Sequence, residues 1–186
     1  RPGTHDCVVL TGVLADPYTA TEIHFQRGQD TSTAVQIDHV VALSDAWQKG
    51  AQQLDTATRT EFANDPLNLL AVDGPANMQK GAGDAATWLP ANRSFRCDYV
   101  ARQIAVKARY DLWVTAAEKD AMARVLSDCP DHPLPDGQST YRIDTTATVP
   151  VPEEPGTQPM ALTGADPRFS SCAKAKDAGY GPSVAG

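Results

Sequence analysis

The sequence predicts an α+β domain. Short apolar runs that read as strands come first, and the longest helical periodicity comes last, over residues 94–127. Between them, residues 35–84 spell strand, insertion, strand, turn, helix, and the polar residues best suited to chemistry gather in that stretch. The chain has 186 residues and 41% hydrophobic content, enough for one ordinary domain with a tail.

Cys7–Leu14 (CVVLTGVL) reads as a strand ended by Asp16-Pro17, and Thr21–Phe25 alternates as a second, with His24 and Arg27 near its end. His24 and Arg27 either line a site or are a strand-edge histidine and a solvent arginine. Gly28–Thr33 is a polar turn. Val35-Gln36-Ile37 is the strand leading into Asp38 and His39. Leu43–Gly50 is a short helix stopped by Gly50. Asp55–Asn64 is another, with Asp55 as N-cap, Arg59 and Glu61 facing solvent and Phe62 packing; Asp65-Pro66 breaks it. Asn68–Val72 is the second strand of the central stretch, Asp73-Gly74-Pro75 a turn, and Ala76–Lys80 a helical turn with proline near its start.

Asp84–Asn92 is a loop that folds Trp88-Leu89-Pro90 over something apolar. In Ser94–Trp113, Cys97, Val100, Ile104 and Ala108 recur at helical spacing as a buried stripe, with Arg102 and Arg109 roughly opposite. Arg93–Arg109 holds five basic residues against one acid, Asp98. In Thr115–Ser127, Thr115 and Glu118 form a capping box. Trp47, Trp88 and Trp113 are expected in the core rather than as base-stacking platforms.

From residue 130 prolines, threonines and acids accumulate; residues 130–165 carry five acidic residues and one basic one and read as a linker. Much of the net charge of −7, unhelpful for binding nucleic acid, thus lies outside the domain. No apolar run is long enough to span a bilayer. With no initiating Met and no signal peptide, the chain is expected to be a mature form or a fragment. Four cysteines without a C-x-x-C pair argue against the common structural zinc sites and for an oxidising, extracellular compartment. Cys97 and Cys129 bracket the helical segment and are the expected bridge; Cys7 and Cys172 lie near the ends, and four buried thiols are the alternative. H-E-x-x-H and the H-x-E with P-C-x-x-C pattern are both absent, which excludes the common zinc peptidases and deaminases.

The ordered motifs IDHVVAL, FANDPLNLLAV, NMQKG and DAATWLP resemble the HNH endonucleases, in the branch of the GmrSD C-terminal domain, many of whose members are secreted actinobacterial proteins. The resemblance spans about Cys7–Cys129 and implies a ββα-metal finger with flanking N-terminal strands and C-terminal helices. It divides the chain into a nuclease domain (1–129, finger about 35–84, supporting helices 94–128), the linker (130–165) and a truncated excalibur-like segment (166–186) that lacks the acidic calcium loop. It implies hydrolysis of phosphodiester bonds in DNA. No recognition helix or repeat is visible, so contacts to the backbone, without strong sequence preference, are expected.

Such hydrolysis needs a deprotonated water, neutralised phosphate charge and a stabilised leaving oxygen; one divalent cation meets the last two. By the resemblance, Asp38 and Asn77 hold it through an anionic and a neutral oxygen, which suits Mg2+ or Mn2+ better than zinc. His39, facing the other side of its strand from Asp38, is the general base, since a free imidazole titrates near pH 6.5. Asn68 ties the loop across the two strands and orients His39. Asn77 has a capping role as its rival. Lys80 holds a phosphate or is a solvated helix end; Arg102, Lys107 and Arg109 track phosphates or form a solvated face. Asp84 either meets metal-bound water or serves its loop. His5 and His132 receive no role. The competing function is a non-catalytic, cell-envelope-associated binding module that keeps the finger as scaffold.

Overall fold

A computed structural model describes residues 8–135. The excalibur-like segment, nearly all of the linker, Cys7 and Cys172 lie outside the described residues. Among the described residues, two small antiparallel sheets and five α-helices make up an α+β fold. β1 (Thr11–Ala15) pairs with β2 (Glu22–Gln26) as an N-terminal hairpin. Its turn is fixed by buried Asp16, whose Oδ2 accepts from the Thr19 amide and hydroxyl at 2.7 and 2.6 Å.

β3 (Val35–His39) pairs with β4 (Leu69–Asp73), so that Asp38 lies opposite Leu70 and His39 opposite Leu69. The alternation along β3 is one-sided: Ile37 is 59% exposed and Asp38 is buried. α1 (Leu43–Gln48) and α2 (Thr56–Asn64) fill the insertion between the strands. Asp55 caps α2, its side chain accepting from the Thr58 amide at 2.7 Å. α3 (Gly74–Lys80) follows β4 directly; Asp73 caps it through the Ala76 amide, with Pro75 in its first turn. Asp16 Oδ1 accepts from the Asp73 amide at 2.7 Å, tying the N-terminal hairpin to the start of α3.

α4 (Arg96–Arg109) and α5 (Ala116–Ser127) close the domain. α4 is shorter than its periodicity predicts. Asp111 takes a positive φ of 51° and the Leu112 amide reaches back to the Lys107 carbonyl, a Schellman-type stop. Aspartate tolerates the left-handed region, so the stop lacks the usual glycine. The buried face of α4 also differs from the expected stripe. Val100 is buried, but Ala108 is exposed and Tyr99, Gln103, Val106 and Lys107 are buried in place of Cys97 and Ile104. An apolar-only periodicity misses a face whose polar members find partners inside. The expected capping box is half realised: Thr115 Oγ1 accepts from the Glu118 amide at 3.1 Å, while the Glu118 side chain turns into the core.

One core cluster lies between the inner face of β3–β4 and helices α4 and α5, centred on Tyr18, Leu70, Val72, Tyr99 and Val100. Trp88 packs against it, edge-on to Tyr18 at 5.0 Å. A second joins α1, α2 and the end of α4 around Phe62, Val106 and Tyr110. Trp47 and Trp113, expected in the core, are 53% and 47% exposed. Trp47 lies under the Arg59 guanidinium, and Trp113 lies against Gly50, whose φ of 123° brings the chain round. Cys97 and Cys129 form the expected disulfide, which pins the first turn of α4 to the chain just beyond α5. Among the described residues no helix is long and apolar enough to cross a membrane.

Candidate active site

Because side chains alternate along a strand, Gln36 and Asp38 share the inner face of β3, and α3 lies against that face. Asn77 and Lys80, one helical turn apart, meet them in order: Asn77 Nδ2 donates to Gln36 Oε1 at 2.9 Å, and Lys80 Nζ donates to Asp38 Oδ1 at 2.8 Å. Lys80 Nζ also donates to the His39 carbonyl at 2.8 Å, and its side chain has no solvent exposure. The Tyr18 hydroxyl donates to Asp38 Oδ2. Both oxygens of a buried carboxylate are thus engaged, one by an ammonium and one by a phenol.

His39 leaves β3 on the opposite face, half-buried. Its Nε2 lies 2.9 Å from the Ala63 carbonyl of α2. A carbonyl only accepts, so Nε2 is the donor, which in the neutral ring puts the lone pair on Nδ1. Asn68, fully buried, grips the chain just beyond His39: Oδ1 accepts from the Val41 amide at 2.8 Å and Nδ2 donates to the Val41 carbonyl at 3.2 Å. The Val40 amide donates to the Asn68 carbonyl at 2.8 Å.

α4 braces this pair of segments from behind. Gln103 Nε2 donates to the Val40 carbonyl at 3.2 Å, and Arg102 donates to the Leu67 carbonyl at 2.9 Å. Arg109, exposed, pairs with Asp65 at 2.9 Å. Lys107 is buried, 3.1 Å from Asp45 and 2.5 Å from Glu118 Oε1, an ion-pair distance although the angle is too poor for a hydrogen bond.

Lys80 and Lys107 are therefore not surface cations: the phosphate-binding role expected of them needs exposure that carboxylate pairing has removed. Arg102 and Arg109 are spent largely on the loop 65–67. His24 is an exposed strand residue 2.9 Å from Glu22, the plainer of its two expected readings. Asp84 serves its loop and Lys49: it accepts from Lys49 at 2.8 Å and from the Ala86 and Thr87 amides.

Beneath the site, Lys49 Nζ draws together Asp45, Asp84 and Glu118 at 2.6, 2.8 and 2.6 Å. Burial alone would lower the Lys49 pKa, but the three carboxylates hold it above the ordinary lysine value. Burial first, and then the charges of Asp38, Asp45, Asp84 and Glu118, push the Tyr99 phenol well up. Sequence reasoning missed this five-charge cluster and the Tyr18 contact. Tyr18 has no motif around it, and the cluster joins residues far apart along the chain, Lys49 and Glu118 by 69 positions.

A two-stranded antiparallel pair running into a helix, with Asp-His on its first strand and asparagines just before the second strand and on the helix, has the layout of a ββα finger. The family model described as GmrSD restriction endonucleases, C-terminal domain, matches residues 1–125, and the chain belongs to that family. An uncharacterized secreted protein of Arthroderma benhamiae is 38% identical over 136 residues, covering 69% of this chain. The match takes in 64% of that relative's length. No solved structure matches.

Proposed function

We propose that the protein is a secreted, metal-dependent HNH endonuclease that hydrolyses phosphodiester bonds in DNA with His39 as general base. Membership of the GmrSD C-terminal family supports the reaction class, and the disulfide and the secreted relative support the compartment. The observation that carries the mechanism is the His39 imidazole, fixed through Nε2 on the Ala63 carbonyl, with Nδ1 bonded to no described residue. Nδ1 takes the proton from the attacking water. Asn68 keeps His39 in place by fixing the backbone two residues on, and α2 supplies the carbonyl that sets the tautomer.

Asp38 and Asn77 would hold the divalent cation, Mg2+ or Mn2+. Their donor chemistry fits: both offer oxygen, and Asn77 Oδ1 accepts from no donor among the described residues. No group of three or more His, Cys, Asp or Glu able to hold a metal occurs among the described residues, so these two ligands would leave most positions to water and substrate. When bound, the ion supplies positive charge to the phosphate and the leaving oxygen. Lys80 already neutralises Asp38, which favours weak, exchangeable binding over storage.

Relaxation of supercoiled plasmid with Mg2+ or Mn2+ tests the reading. Wild type is expected to nick, and His39→Ala to lose about 10²–10⁴-fold in rate. Full activity in the variant removes His39 from the mechanism. A wild type inert with every divalent cation leaves the scaffold-type binding module as the better account.

A further inference from the structure

We propose that Arg93, Arg96 and Arg124 form a phosphate-binding cleft that grips the sugar-phosphate backbone of the nucleic acid outside the position cut. The inference rests on the nuclease reading above. It starts from a cleft of about 420 Å³ between the loop 85–90, the start of α4 and the last turns of α5. Ala85, Leu89, Ala121 and Val125 give it an apolar floor, three arginines line it, and Asp128 is its one acid. None of its lining residues belongs to β3, β4 or α3.

The domain is acidic: residues 1–129 hold sixteen Asp and Glu against twelve Lys and Arg. A nucleic-acid substrate must still find cations. Those first expected to supply them are committed elsewhere: Lys80 to Asp38, Lys107 to Asp45 and Glu118, Arg109 to Asp65, Arg102 to the Leu67 carbonyl. Arg93 and Arg124, by contrast, make no side-chain hydrogen bond or ion pair with any described residue. Arg96 uses only Nε, on the Pro90 carbonyl at 2.8 Å, which leaves both terminal amino groups.

Three guanidinium groups share one concavity, and two of them stand at the start of a 14-residue helix, where the backbone dipole is already positive. Three like charges set against one acid, Asp128, are not fully offset, and an external phosphate turns that cost into binding. Guanidinium forks match phosphate oxygens in pairs, and an apolar floor suits a sugar edge. The Cys97–Cys129 disulfide ties the two helices that supply the arginines, so their spacing is set before a ligand arrives.

The test is the salt dependence of binding to a labelled DNA duplex, with EDTA present to prevent cleavage, for the full chain and the Arg93→Ala/Arg124→Ala double variant. The slope of log affinity against log salt should fall by about 1 for each phosphate contact removed, hence by about 2 in the double variant. The Arg93→Lys/Arg124→Lys variant, which keeps the charges, should recover most of the slope. A wild type that binds and nicks DNA while the alanine variant keeps its affinity and slope overturns the cleft and leaves the nuclease reading standing. A wild type that neither binds nor nicks overturns both.

Discussion

Lys80 Nζ stands 2.8 Å from Asp38 Oδ1, so a residue of α3 neutralises the carboxylate of β3 that the motif offers to a metal ion. Neither side chain has solvent to fall back on. Removing Lys80 leaves Asp38 charged and buried, with only Tyr18 for company. Lys80→Met should therefore cost about 3–5 kcal/mol of stability. If Asp38 is a metal ligand, millimolar Mn2+ should raise the melting temperature of the variant more than that of wild type, because the ion replaces the missing charge. Equal shifts in the two proteins would separate Asp38 from the metal.

Asn77 offers a cleaner separation of binding from folding. Its side chain makes one hydrogen bond, to half-buried Gln36. Asn77→Ala should lose no more than about 1 kcal/mol of stability, while the Mg2+ concentration for half-maximal nicking rises at least about tenfold, the equivalent of about 1.4 kcal/mol. An unchanged metal requirement would reduce Asn77 to a helix-packing residue.

Asn68 is expected to behave in the opposite way. It has no exposure, and both ends of its carboxamide are used on Val41. Asn68→Ala leaves the Val41 amide and carbonyl without their partner and should destabilise by about 1–3 kcal/mol. Its nicking rate should fall further than stability explains, since His39 sits two residues upstream. Denaturant melts run beside rates measured well below the melting temperature check both halves.

The acid limb of stability follows from Asp65. Burial alone would raise its carboxyl pKa; the Leu67 amide, Arg109 and Tyr110 outweigh that and hold it below the ordinary 3.8. A depressed folded-state pKa adds stability that is whole above the unfolded value and drains away as pH falls through the folded one. Melting temperature should hardly change for this reason above about pH 5, then drop below about pH 4. Asp65→Asn should start lower at neutral pH and lose less on acidification. Parallel curves for the two proteins would count against Asp65 as a contributor.

Breaking the disulfide is a test of the supporting layer. The bridge spans a sequence separation of 32, for which chain entropy gives about 3–4 kcal/mol. Reduction should lower the melting temperature clearly. A melt that dithiothreitol leaves unmoved would mean that the α4–α5 contact holds without it.

The finger was legible because its signals are local. Asp73 and Pro75 mark the start of α3, Asp55 marks α2, and alternation assigns Asp38 and His39 to opposite faces. What was not legible is long-range and polar. Tyr18 meets Asp38 across 20 residues, and Lys49 meets Glu118 across 69. A lysine in a helix reads as a solvated end until three-dimensional packing brings it a carboxylate. The same blindness sent Glu118 to a capping box and Lys80 and Lys107 to phosphates. It also passed over Arg93, inside the basic stretch, and Arg124, well beyond it, whose guanidinium groups pair with no described residue.

β3 and β4 are neighbours in space but are separated along the chain by α1 and α2. His39 is emitted with the first strand, and the asparagines that hold its surroundings come with the second and with the helix behind it. A chain still being made, or one clipped anywhere within the insertion, has an imidazole but no pocket to present it. On the proposed nuclease reading, separated pieces are inert, and two complementary fragments brought back together would restore the site.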